Sequence, residues 1–125
     1  MHYKALLTTL GLAALAAFSA CSYDKEELAN PNACNTAGTT YRQHILPVLQ
    51  NSCYSCHSSA AAAQHGRNIS LEGYSQVQPW VLNGKLLAAI NHAPTAPAMP
   101  QGGPKLDNCT LARFSAWVGA GAPDN

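Results

Sequence analysis

Apolar residues recur at helical intervals in two clear places along this chain. The first follows Thr39 and Thr40, where Tyr41, Ile45, Val48 and Leu49 fall on one face of a helix that either threonine can cap. Pro47 lies inside that stretch and predicts a kink or a later start. The second is near the C-terminus, where Thr110, Phe114, Trp117 and Val118 share a face. Asp107 or Asn108 supplies the cap there, and Gly119, Gly121 and Pro123 stop the helix. Between them the pattern is weaker. Ser75 to Leu82 and Lys85 to Asn91 read as short helices broken at Asn83-Gly84. Ser58 to Gly66 is rich in small residues and reads as a loop or short helix, and Gly66 to Leu71 as irregular or briefly extended chain. Pro94, Pro97, Pro100 and Pro104, with Gly102 and Gly103, exclude regular structure from residues 93–104. The fold class expected is all-α, with a few short helices and long loops.

A different pattern opens the chain. Lys4 precedes an apolar run, Ala5 to Phe18, that is too short to span a bilayer comfortably. Ser19 and Ala20 then lead into Cys21. Residues 1–20 thus read as a secretion signal, and the small residues before the cysteine resemble a bacterial lipoprotein signal, which implies lipidation of Cys21. Ordinary secretion with Cys21 unmodified is the other reading. Residues 21–38 are polar, carry Asn30-Pro31-Asn32 and read as a tether; residues 39–125 remain as one small domain. Of seven Lys and Arg, Lys4 falls in the signal, so six basic residues face six acidic ones and the remainder sums to zero. That balance gives no electrostatic footprint for nucleic acid.

Cys53-Tyr54-Ser55-Cys56-His57 carries the most specific chemistry in the chain. C-x-x-C-H is the spacing of covalent haem attachment. One helical turn can present both sulfurs to one porphyrin edge, and the adjacent imidazole of His57 can bind iron as proximal ligand. The remaining cysteines then count evenly. Of five, Cys21 goes to lipid and Cys53 with Cys56 to haem c, leaving Cys34 and Cys109 to pair in an oxidising compartment or to stay free. Such a bridge would stabilise by about 3–5 kcal/mol in the chain-entropy model.

Met99 is the second residue of interest, because it sits in the proline-rich loop and belongs to no apolar stripe. A thioether there suits the distal face of an iron, where it favours the ferrous state. His92, just ahead of the same loop, is the runner-up, and an open distal site the third option. His44 and His65 read as surface or locally bonded histidines. Trp80 and Trp117 read as packing aromatics.

The order of these pieces resembles a class I cytochrome c domain, and more closely the planctomycete-type cytochrome c family. The residues that carry the resemblance are Ile45-Leu46-Pro47-Val48-Leu49, Cys53 to His57, Ile69 to Tyr74, Met99-Pro100, Lys105-Leu106 and Phe114 to Pro123. Gln101 departs from the proline or glycine that often follows Met-Pro in that family. The resemblance implies a cytochrome c-like fold around one haem, with Cys53 and Cys56 as thioethers and His57 and Met99 as axial ligands. It does not bear on Cys34 and Cys109.

Three functions follow from this sequence. The first is an exported, lipid-anchored monomer, facing periplasm or cell surface, that passes single electrons between redox partner proteins and is no enzyme. The second is a haem peroxidase or a gas or redox sensor, which needs an open or displaceable distal site. The third has no haem and uses Cys53 and Cys56 in a disulfide, a zinc site completed by Cys34 and Cys109, or a thiol redox motif. The strand-rich pattern of a thioredoxin is absent. The first is the expectation taken forward.

Overall fold

Thr40 caps the first helix, its hydroxyl accepting from the Gln43 amide. The computed structural model describes residues 34–125; the predicted signal, Cys21 and residues 22–33 lie outside the described residues. From the cap the chain makes a π-helical turn, Tyr41–Ile45, and runs directly into α1, Leu46–Ser52. The α-helix begins only at Leu46 with Pro47 in its first turn, the later start that the proline predicts. The residue lacks a backbone donor, and the turn ahead of it widens so that the Leu46 amide reaches back to the Tyr41 carbonyl.

Five further helices follow: α2 (Tyr54–His57), α3 (Ala62–His65), α4 (Tyr74–Leu82), α5 (Lys85–Ile90) and α6 (Asn108–Gly119). Among the described residues there is no strand, and no helix is long and apolar enough to cross a membrane. The break between α4 and α5 falls at Asn83-Gly84, where Gly84 is left-handed with φ 73°. Asp107 caps α6, accepting from the Thr110 amide at 2.9 Å and from the Thr110 hydroxyl at 2.6 Å. Those bonds hold its carboxyl below the usual carboxylate range.

The core is built from one face of each longer helix. Tyr41, Ile45 and Leu49 meet Val77 and Val81 of α4, Leu86 and Ile90 of α5, and Leu111, Phe114 and Trp117 of α6. The α6 face differs from expectation by a small rotation. Leu111 is buried where Thr110 was expected, and Val118 packs at the edge of the core. The Tyr41 ring is the hub, lying 5.3 Å edge-on from Tyr74 and 5.6 Å from Trp117. Burial pushes its phenol up to about 12, and its hydroxyl has no hydrogen-bond partner among the described residues.

Two backbone features close the unit. At the end of α6 the Gly121 amide donates to the Val118 carbonyl and the Ala122 amide to Trp117, both at 2.9 Å. This is a Schellman motif with left-handed Gly121 at φ 90° and with Ala122 buried against the core. It gives the Gly-Ala-Pro segment a structural cause. The chain then returns to the first helix, where the Tyr41 amide donates to the Asn125 side chain and the Arg42 amide to the Asn125 carbonyl. Cys34 and Cys109 form a disulfide across 75 residues, with Cα atoms 5.1 Å apart. Residues 34–38, read from sequence as tether, are therefore tied to α6.

Candidate functional site

The C-x-x-C-H segment occupies the junction of α1 and α2. Cys53 separates the two helices with φ −121°, and one turn follows in which the Cys56 and His57 amides both donate to the Cys53 carbonyl. The two cysteines are free thiols, each half-buried, and are not bonded to one another. Burial pushes the Cys53 thiol up to about 11.

His57 is held by backbone atoms. Its Nδ1 lies 2.9 Å from the Ile69 carbonyl oxygen. A carbonyl only accepts, so Nδ1 carries a proton, and in the neutral ring the lone pair is then on Nε2, the tautomer of a metal-binding imidazole. The chain of residues 66–71 makes this bond possible. It turns back beneath His57 through left-handed Arg67 (φ 53°) and Asn68 (φ 61°), and the Leu71 amide donates to the His57 carbonyl at 2.8 Å. Gly66 is where the two segments touch. A Cβ there would sit 2.4 Å from the Cys56 carbonyl oxygen and 3.0 Å from His57 Nδ1. A further tie joins the Ser59 amide to Glu72 at 2.7 Å, which lowers the Glu72 carboxyl.

Cys53, Cys56 and His57 open onto a mostly apolar cavity of about 390 Å³. Its walls come from Ile69 and Leu71, Trp80 of α4, Leu86, Ala89 and Ile90 of α5, and Leu106, while Ser55, Arg67, Lys85 and Gln101 add polar groups. Met99 lines it from the proline-rich loop. The cavity therefore brings together four of the residues singled out from sequence. Its size and apolar lining suit a bound organic group, with few polar atoms to fix it.

His92 behaves otherwise. It does not line the cavity; it is exposed, and its Nε2 lies 3.0 Å from the Met99 carbonyl oxygen. Its ring is spent on the backbone of the residue for which it was the alternative. His65 lines the cavity from the end of α3, and His44 is bonded locally, its Nδ1 3.0 Å from the Thr40 amide nitrogen. No three His, Cys, Asp or Glu side chains converge as a metal cluster among the described residues, and the disulfide removes Cys34 and Cys109 as thiolate ligands. The zinc site in which Cys34 and Cys109 would complete Cys53 and Cys56 thus loses two of its four ligands.

Gly66, the Ile69 carbonyl and the Ala89 carbonyl were not singled out from sequence. The last accepts the Met99 amide at 3.0 Å. Two are backbone acceptors, which any residue type supplies. Gly66 offered the one usable signal, a glycine shortly after the histidine in a small-residue run.

Comparison with family models, curated proteins and solved structures gave no match to this chain.

Proposed function

We propose that this protein is a monohaem c-type cytochrome, an exported carrier of single electrons. One observation supports it above the rest: both thiols, the His57 imidazole with its Nδ1 held by Ile69, and the Met99 thioether all line one apolar cavity. The donor set and the lining fit haem c. Cys53 and Cys56 would hold it through thioether bonds, and His57 and Met99 would supply its nitrogen and sulfur ligands. When bound, the haem supplies a reversible ferric–ferrous couple.

The chain's own residues then set the terms of that couple. Ile69 fixes the His57 ring and raises the basicity of Nε2 by accepting its proton bond. The thioether of Met99, a soft neutral donor, favours the lower oxidation state. Leu71, Leu86, Ile90 and Leu106 keep water and its dielectric away from the centre, which disfavours the more charged state. Ser55, which is exposed, and Cys56 line the cavity, and they would give a redox partner its approach to a bound group, so that exchange would be outer-sphere with no substrate bound. The fold reading goes with this function: the helices and loops of residues 39–125 form a cytochrome c-like domain around the group. Residues 1–21 and the Cys34–Cys109 disulfide support export and a lipid anchor at Cys21.

The test is an optical spectrum of protein produced with c-type maturation machinery, for the native chain and Met99→Ala. A covalent low-spin haem with a near-infrared methionine-to-iron band, lost in the variant, is the expected result. A high-spin spectrum that responds to carbon monoxide or peroxide would instead favour a sensor or peroxidase. Absence of covalent haem would sink the proposal.

A further inference from the structure

The loop that carries Met99 is gripped by α5. Lys85 Nζ donates to the Thr95 carbonyl at 2.8 Å, the Met99 amide to the Ala89 carbonyl at 3.0 Å, and His92 Nε2 to the Met99 carbonyl at 3.0 Å. Both backbone groups of Met99 are thereby committed, and only its side-chain torsions remain to be set.

His92 holds its place at a conformational cost. It is the left-handed residue that ends α5, with φ 55°. The His92 amide donates to Ala89 at 3.1 Å and the Ala93 amide to Ala88 at 2.8 Å, a second Schellman motif. That position suits glycine, or failing that asparagine, since a Cβ is crowded in the left-handed region. The backbone of the motif gains nothing from an imidazole. What the imidazole adds is the bond to Met99, for which the helix end aims it correctly.

We propose that His92 is a positioning residue for the Met99 sulfur, clamping the Met99 peptide so that the thioether is delivered into the cavity. The proposal rests on the axial role of Met99 put forward above. By fixing the backbone in advance, the clamp lowers the entropy lost when the thioether binds and so opposes its displacement by other ligands.

The test uses haem-loaded protein and three variants, His92→Gly, His92→Asn and Met99→Ala. Imidazole is titrated into the ferric form and followed optically, Met99 amide exchange is followed by NMR, and guanidinium midpoints are recorded. Loss of one hydrogen bond should raise imidazole affinity on the order of two- to tenfold in both His92 variants. Their Met99 amides should exchange faster, while the midpoint of His92→Gly holds or rises because the left-handed strain is gone. Unchanged imidazole affinity and exchange in both variants would overturn the clamp. So would an affinity change seen only where the midpoint has fallen, since that is merely lost structure. If Met99→Ala leaves the titration where it was, the axial role of Met99 fails and the clamp fails with it. If Met99→Ala shifts the titration and the His92 variants do not, the clamp alone fails.

Discussion

Replacing Gly66 with alanine tests whether His57 is oriented by a close backbone contact. By local conformation the change should help. Gly66 has φ −103° and ψ 13°, which alanine adopts without difficulty, and loss of unfolded-state freedom would stabilise by about 0.4–1 kcal/mol. The surroundings reverse the sign. The new methyl would lie 2.4 Å from the Cys56 carbonyl oxygen, 3.0 Å from Ala62 Cα and 3.0 Å from His57 Nδ1. The first two are backbone atoms that cannot swing aside, and the third is tied to Ile69 at 2.9 Å. Relief requires the 66–71 segment to move away from the Cys53–His57 turn, at a cost of about 1–3 kcal/mol. It also lengthens the bond that sets the His57 tautomer. Guanidinium denaturation of Gly66→Ala should give that loss, and its ferric spectrum should show weakened axial ligation. Gly119→Ala is the counterpart: nothing lies within 4 Å of its Cβ position at the end of α6. It should stabilise by a few tenths of a kcal/mol, up to about 1. If Gly66→Ala is as stable as the native chain and its spectrum is unchanged, the contact does not orient His57.

Two other outcomes follow from the same coordinates. Burial raises the Tyr41 phenol from 10.0 to about 12, so the folded state resists its ionisation: stability is unaffected below pH 10 and falls as pH rises toward 12, by about 2–3 kcal/mol in all. Tyr41→Phe should abolish that alkaline loss in urea titrations. Because it removes an orphaned hydroxyl, it should hold or raise stability at neutral pH by up to about 1 kcal/mol. Replacing Cys34 and Cys109 together with serine should cost about 4–5 kcal/mol for a 75-residue separation, read from denaturation without reductant, while the optical spectrum stays that of the native chain.

The parts legible in the sequence were those encoded in residue type and spacing. C-x-x-C-H marked three residues that line the cavity, and Met99, which joins them there, stood out because no helical stripe claimed it. The helices at Thr40, Asn83-Gly84 and Asp107 were legible because caps and breakers act over a few residues. The α6 face was off by a rotation because Thr110 was counted on the stripe, whereas its hydroxyl is spent on Asp107 and Leu111 fills the core. Pro47 marked the start of the α-helix, but not the π-helical turn ahead of it, because a widened turn has no residue signature. His92 could not be placed because an imidazole suits a metal ion and a backbone carbonyl alike, and only the end of α5 decides that it meets the Met99 carbonyl. The Ile69 and Ala89 carbonyls have no signature at all.

The Cys34–Cys109 disulfide sets the covalent topology of the site. Cys53, Cys56, His57, His92 and Met99 all lie between the bridged cysteines, so the whole site sits within one closed ring. A single cut anywhere in that ring, the exposed Pro97-Ala98 step included, opens it without releasing a fragment. The segment bearing Met99 then stays tethered through the sulfur bridge to the segment bearing His57. The two remain at high effective concentration, and rebinding stays an intramolecular event. A nicked molecule would keep His57 and Met99 in one covalent unit until a reductant reached the bridge.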